Sequence, residues 1–205
     1  EEVNISKRLL EKIKLDNNFS SVQSKHIISK LYSSEEIYSI KNKLDLKNPF
    51  LNNKDFLSGC LLLKEKIDKN EKILVVGDYD VDGCVSTSLM VNFLNQLKVN
   101  VSYYIPDRIK DGYGANKALI NKLIKKFIPK LIIFLDCGTN SIDALEYLKN
   151  INIKSLIIDH HNVQRNINFS GILINPKKNS TYKNYNYICS AFLTYFFLDV
   201  FISTN

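Results

Sequence analysis

Two hydrophobic rhythms divide the chain. Over residues 1–70, short amphipathic stretches alternate with Asn-, Lys- and Ser-rich patches; the Asn48-Pro49 step marks a turn, and a helix is predicted over Asp55–Ile67. From Lys72 onward, compact apolar runs are each followed by polar or acidic residues and then by apolar positions at helical spacing. Ile73–Val76 reads as a strand, and Val85, Leu89, Phe93 and Leu97 recur as the predicted buried face of the helix behind it. Val99–Ile105 with Ile120, Leu123, Ile124 and Phe127 repeats the cycle, as does Leu131–Leu135 with Ile142, Leu145 and Leu148. Ser155–Ile158 and Gly171–Ile174 supply two further strands, and Ile188–Phe201 a last, strongly apolar helix.

Strands alternating with helices require right-handed crossovers, which place the strands side by side in one direction. The predicted class is therefore α/β: a mainly parallel sheet of about five strands flanked by helices over residues 48–205, preceded by a helical segment over residues 1–47. Ligands of such sheets collect outside the carboxyl ends of the strands. The residues that follow each strand are thus the ones to inspect for chemistry.

Three strands run directly into acid. Ile73–Val76 leads to Asp78, Asp80 and Asp82, Leu131–Leu135 leads to Asp136, and Ser155–Ile158 leads to Asp159-His160-His161. Any one of these carboxylates could serve as a helix N-cap. Five of them with two imidazoles at one sheet edge would repel and desolvate one another at a cost of several kcal/mol unless a cation neutralises them. Carboxylate oxygens with imidazole and without thiolate suit Mn²⁺ or Mg²⁺ better than structural zinc, and this number of acids could hold two ions. The histidine favours Mn²⁺ over Mg²⁺.

Two rival uses of the first motif fit less well. Asp78–Gly83 matches the opening of an EF-hand loop, but Leu89 stands where the bidentate Glu is required and a strand precedes it in place of a helix. Asp80-Val81-Asp82-Gly83 resembles the nucleophile motif of haloacid-dehalogenase phosphatases, a chemistry that leaves the later Asp-His-His without a use.

Composition adds modest constraints. The chain has 205 residues, 45% of them hydrophobic, enough for one sizeable core. Its net charge of +7 suits a polyanionic partner, although Lys-, Asn- and Ile-rich usage can produce the same balance from nucleotide bias. Cys60, Cys84, Cys137 and Cys189 form no C-x-x-C pair, and no apolar run approaches a membrane span, so a soluble protein in a reducing cytoplasm is expected. Cys137 beside Asp136 lacks a free histidine-acid pair to activate it and reads as a small buried residue; His26 reads as an ordinary surface residue. With Glu1 first and Met90 the only methionine, the chain is expected to be a segment of something longer.

Gly77-Asp78-Tyr79-Asp80-Val81-Asp82-Gly83, Asp136-Cys137-Gly138 and Asp159-His160-His161 resemble the first three motifs of the DHH phosphoesterase family. Ile105-Pro106-Asp107-Arg108, Gly112-Tyr113-Gly114, Asn48-Pro49-Phe50-Leu51 and Asn175-Pro176-Lys177 are similar to its RecJ branch of single-strand-specific DNA exonucleases. The resemblance implies that Asp78 and Asp80 bind one metal, that Asp136 bridges, and that Asp82 and His160 bind the other. It also implies that His161 faces the scissile phosphate, that Asp159 orients an adjacent imidazole, and that Arg108 contacts phosphate. Gly112 and Gly114 would let the backbone approach the strand, with Tyr113 either stacking on a base or packing the loop.

The implied activity is hydrolysis of single-stranded DNA from its 5′ end, in repair and recombination, by in-line attack under Mn²⁺ or Mg²⁺. Alternatives are a DHH enzyme of oligonucleotides, cyclic dinucleotides or pyrophosphate, and a non-catalytic DHH-like scaffold. The family's fourth acidic motif and substrate-holding domain are not visible in the sequence. Asp199, the only acid after Asp159, reads as a polar point on the solvated face of the last helix. The segment by itself is therefore expected to be incomplete as a catalyst.

Overall fold

Along each predicted strand, neighbouring side chains point to opposite faces, so an unbroken apolar run such as Leu131–Leu135 needs cover on both sides. The computed structural model supplies it; it describes residues 47–112, 114–164, 168–178 and 184–204. Strands β1 (Ile73–Val76), β2 (Val101–Tyr104), β3 (Leu131–Leu135), β4 (Lys154–Ile158) and β5 (Gly171–Ile174) form one all-parallel sheet in the order β2-β1-β3-β4-β5. Helices α1 (Lys54–Asp68), α2 (Val81–Gln96) and α5 (Ser190–Thr204) cover one face with Ile73, Val75, Ile133 and Leu156. Helices α3 (Lys117–Phe127) and α4 (Ile142–Asn150) cover the other with Leu74, Val76, Ile132 and Phe134. The helical reading of residues 1–47 and of His26 falls almost wholly on residues outside those described.

Three details depart from the sequence reading. On α2 the buried residues are Gly83, Ser86, Thr87, Met90 and Leu94, whereas Val85 and Leu97 are exposed and Leu89 and Phe93 half-buried. The helix lies so close to the end of β1 that only small side chains fit between them: a Cβ at Gly77 would stand 2.0 Å from Thr87 Oγ1, and one at Gly83 2.5 Å from the Asp78 carbonyl oxygen. Its larger residues turn instead toward α5, where the rings of Phe93 and Phe201 meet edge to face. Second, β2 is shorter than the predicted Val99–Ile105, in keeping with its place at the sheet edge. Third, Asp199 is half-buried and not a solvated point, accepting a hydrogen bond from Asn48 Nδ2 at 2.9 Å and so tying the start of the domain to α5.

The chain leaves β1 toward β2 on one side and returns to β3 on the other. Between the carboxyl ends of β1 and β3 the loops therefore diverge and leave a crevice.

Candidate metal centre

The first acidic loop fills that crevice from β1. Asp80 is the N-cap of α2, its Oδ1 accepting from the Gly83 N–H at 3.0 Å, and Asp78 Oδ1 accepts from the Tyr79 N–H at 2.7 Å. Each carboxylate is thereby oriented by local backbone and keeps lone pairs for a further partner. Asp136 leaves the end of β3 with φ of 60°, a left-handed conformation that costs a non-glycine residue about 1 kcal/mol and that Asp tolerates better than most. Its N–H continues the ladder to the Ile158 carbonyl at 3.0 Å, which fixes the carboxylate between the β1 and β4 loops.

Asp78, Asp80 and Asp136 offer oxygens that all lie within 4.8 Å of one another. On the other side of Asp136, His160 Nε2 stands 3.4 Å from Asp136 Oδ1 and 3.6 Å from Asp82 Oδ2. Adjacent donors on a six-coordinate ion with bonds of about 2.1 Å are roughly 3 Å apart, so the oxygens of Asp78, Asp80 and Asp136 are grouped closely enough to approach one divalent cation, while His160 lies near both Asp136 and Asp82. Asp136 belongs to both groups. Asp136, His160 and His161 also fall within 4.8 Å of one another, which admits His161 as a rival ligand.

His161 Nδ1 stands 2.8 Å from Asp159 Oδ1, and this hydrogen bond raises the imidazole to about 9, so the ring is a cation at neutral pH. Asp159 is buried, which by itself would raise its carboxyl, but hydrogen bonds from the His161 ring, the Thr139 N–H and the His161 N–H hold it down at about 2. His160 behaves oppositely: burial lowers its pKa despite the attraction of Asp82, which keeps the ring neutral and its nitrogen able to bind metal. Burial raises Asp78. Burial also pushes Asp136 up to about 8, helped by the charges of Asp82, Asp80 and Asp159 and opposed by a hydrogen bond from Ser190. Nearby positive charge would reverse these last two shifts.

Arg108 is exposed on the loop after β2, its guanidinium carbon 5.3 Å from the centre of the Tyr79 ring inside the first acidic motif. Gly112 and Gly114 on the same loop have φ of 80° and 68°, conformations that favour glycine; Tyr113 between them lies outside the described residues. A cleft of about 650 Å³ opens from Asp78, Asp136, Asp159 and His161 and runs past Asn116 and Lys117 on one side and Ser141 on the other. Cys137 is buried with Sγ 3.6 Å from the Val76 carbonyl oxygen.

Two residues of this centre escaped the sequence reading of its chemistry. Asn175, 1% exposed at the end of β5, donates to Thr139 Oγ1 at 3.0 Å and to the His161 carbonyl at 2.9 Å. The rule that drew attention to the other strand ends applies to Asn175 equally. Ser190, the first residue of α5, donates through Oγ to Asp136 Oδ1 at 2.9 Å, while the N–H groups of Ser190 and Ala191 donate to Asp82 at 2.8 and 2.7 Å. No local pattern marks Ser190, because its partners are 108 and 54 residues away.

Comparisons with known proteins give the family and the fold. Residues 72–201, more than half of the chain, match the family described as "DHH family, N-terminal domain". The chain is 34% identical over 116 residues to the single-stranded-DNA-specific exonuclease RecJ of Bacillus subtilis, a match covering 57% of this chain and 15% of that protein. With the RecJ of Haemophilus influenzae it shares 32% identity over 162 residues, 77% of this chain and 28% of the relative. The chain thus spans less than a third of the length of these relatives. Among solved structures, an exonuclease RecJ bound to manganese superimposes with a TM-score of 0.67 at 24% identity, over 74% of this chain and 38% of that one. RecJ of Thermus thermophilus in complex with Mn²⁺ superimposes with a TM-score of 0.68 at 18% identity, over 97% of this chain and 28% of that one. At these identities the superpositions establish the fold.

Proposed function

This chain belongs to the DHH family, and from that premise we propose that it carries most of the metal centre of a RecJ-like exonuclease that hydrolyses single-stranded DNA from the 5′ end. The observation that carries this reading is the position of Asp136, shared by one donor group with Asp78 and Asp80 and by a second with Asp82 and His160. Mn²⁺ or Mg²⁺ is the cation suited to such donors, and the names of the structural neighbours include manganese and Mn²⁺ complexes. Two bound divalent ions would supply Lewis acidity to the phosphodiester and to the attacking water.

The protein's own groups do the remaining work. His161, protonated and held by Asp159, presents a cation to the phosphate at the mouth of the cleft and stabilises charge that grows on the phosphoryl oxygens. Asp159 fixes the orientation of that ring and is not itself a ligand. Arg108, steadied on Tyr79, contacts a neighbouring phosphate, and Gly112 and Gly114 leave room for the strand beside it. We assign Tyr113 to the same strand-facing loop.

Among the described residues no helix is long and apolar enough to cross a membrane. We place the activity in cytoplasmic DNA repair and recombination, with residues 48–205 as the DHH domain. The test is hydrolysis of 5′-labelled single-stranded DNA by a form extended along its gene, with Mn²⁺ and with chelator. Metal-dependent release of nucleotides that Asp136→Ala abolishes is the expected result. Preference for two- to five-nucleotide substrates over long strands would transfer the assignment to an oligonucleotide phosphodiesterase.

A further inference from the structure

A carboxylate that serves two ions must hold one rotation about its terminal torsion, and that torsion of Asp is intrinsically broad. Asp136 is 1% exposed and stands between the two donor groups, so its rotation decides whether both can be served at once. Among the described residues, the Ser190 hydroxyl is the side-chain donor that fixes it, at 2.9 Å from Oδ1. Beside a bound cation the Asp136 carboxylate is ionised and only accepts, so there the Ser190 hydroxyl is the donor of this contact. The same serine begins α5, and its N–H, with that of Ala191, grips the Asp82 carboxylate, one bond to each oxygen. One rigid helix start thereby registers Asp82 and Asp136 against each other.

We propose that Ser190 is the positioning residue of the metal centre: its hydroxyl holds the shared carboxylate of Asp136 in the orientation that serves both cations, while its backbone fixes Asp82. The inference rests on the metal reading given above. Ser190 does not touch the substrate in this role; it acts through Asp136. Loss of a group that orients a metal ligand weakens metal binding by about ten- to a hundredfold.

Thr194 provides the matched control. It lies on the same helix, is equally buried at 0% exposure, and its hydroxyl has no hydrogen-bond partner among the described residues. Titration of the 205-residue chain with Mn²⁺, followed by the electron paramagnetic resonance signal of free Mn²⁺, should show Ser190→Ala weakening binding by about tenfold or more. Thr194→Val should stay within about twofold of the parent, since it removes no contact to an acid. Parent-like affinity in Ser190→Ala, or an equal loss in Thr194→Val, would overturn the proposal.

A metal-free measurement separates this inference from the one beneath it. In chelator, the melting-midpoint shifts of Ser190→Ala and Asp136→Asn should be non-additive in the double variant, because both remove the same contact. Additive shifts sink the positioning role. Absence of Mn²⁺ binding to the parent chain with non-additive shifts would remove the metal reading and leave the hydroxyl–carboxylate contact standing.

Discussion

Asp136 and Asp159 stand at the ends of neighbouring strands, each 1% exposed, and the fold treats them in opposite ways. Asp159 is provided for by the protein. The His161 ring and the N–H groups of Thr139, His160 and His161 all point at it, and its carboxyl is held near 2 against the penalty of burial. Burial pushes Asp136 up to about 8, with one hydroxyl donor to oppose it and the charges of Asp82, Asp80 and Asp159 adding to the strain. A buried acid with its own counter-charge is part of the scaffold. A buried acid without one, ringed by further acids, marks where a cation belongs.

The largest expected effect tests the metal side of this contrast. Asp136→Asn should weaken Mn²⁺ binding by about a hundredfold or more, at or beyond the top of the range for losing a group that only orients a ligand, since it removes a charged donor from both groups. In chelator the same variant should melt higher than the parent at pH 8, because the unneutralised charge is gone. Calorimetric titration and thermal melts of one preparation check both halves. Unchanged affinity would reduce Asp136 to a structural acid like its neighbour.

Asp159→Asn should do the reverse. Removing the buried carboxylate of this half-exposed pair weakens the charge-assisted hydrogen bonds it accepts and costs about 2 kcal/mol of folding stability, and urea unfolding at pH 7 reads it. Some Mn²⁺ affinity should survive, because the first acidic loop keeps its own backbone anchors. A loss below about 1 kcal/mol would mean that the pair is no stronger than a surface contact.

The contrast also has a pH dependence. Asp136 has a folded-state pKa raised from 3.8 to about 8, so its contribution is fully present below about pH 4 and is lost as pH rises through 8. His161, raised from 6.5 to about 9 by Asp159, contributes below about pH 6.5 and loses that contribution through 9. Asp159, lowered from 3.8 to about 2, contributes above 3.8 and loses it as pH falls toward 2. Metal-free protein should therefore melt several degrees lower at pH 9 than at pH 5. Saturating Mn²⁺ should remove the Asp136 part of that decline, and a flat profile in chelator would contradict the unneutralised state of Asp136.

Most of the fold and the acidic residues were legible in the sequence because both depend on local order. Apolar runs bounded by acid define β1, β3 and β4, and parallel strands must deliver Asp78, Asp136 and Asp159 to one edge. The α2 stripe was misread because periodicity ranks residues by hydrophobicity, whereas the close approach of the helix to Gly77 demands Ser86 and Thr87 at the contact. The division of labour between Asp136 and Asp159 was half hidden: His160 and His161, next in sequence, supply Asp159, but the donors from α5 to Asp136 and from the β3–α4 loop to Asp159 are remote. Spacing along the chain cannot reveal those remote donors.

Asn175 allows the finest test. Its side chain joins Thr139, whose N–H donates to Asp159, to the carbonyl of His161, so it braces the scaffold acid and makes no contact with Asp136. Asn175→Ala leaves Thr139 Oγ1 and the His161 carbonyl short of a donor, at a cost of about 1 kcal/mol. If the two carboxylates are energetically separate, urea unfolding should register that loss while Mn²⁺ affinity moves by less than about threefold, the range expected when no ligand-orienting group is removed. A loss of affinity as large as that from Ser190→Ala would show that the Asp159 network positions the ligands as well, and the boundary between scaffold and centre would have to be drawn beyond β5.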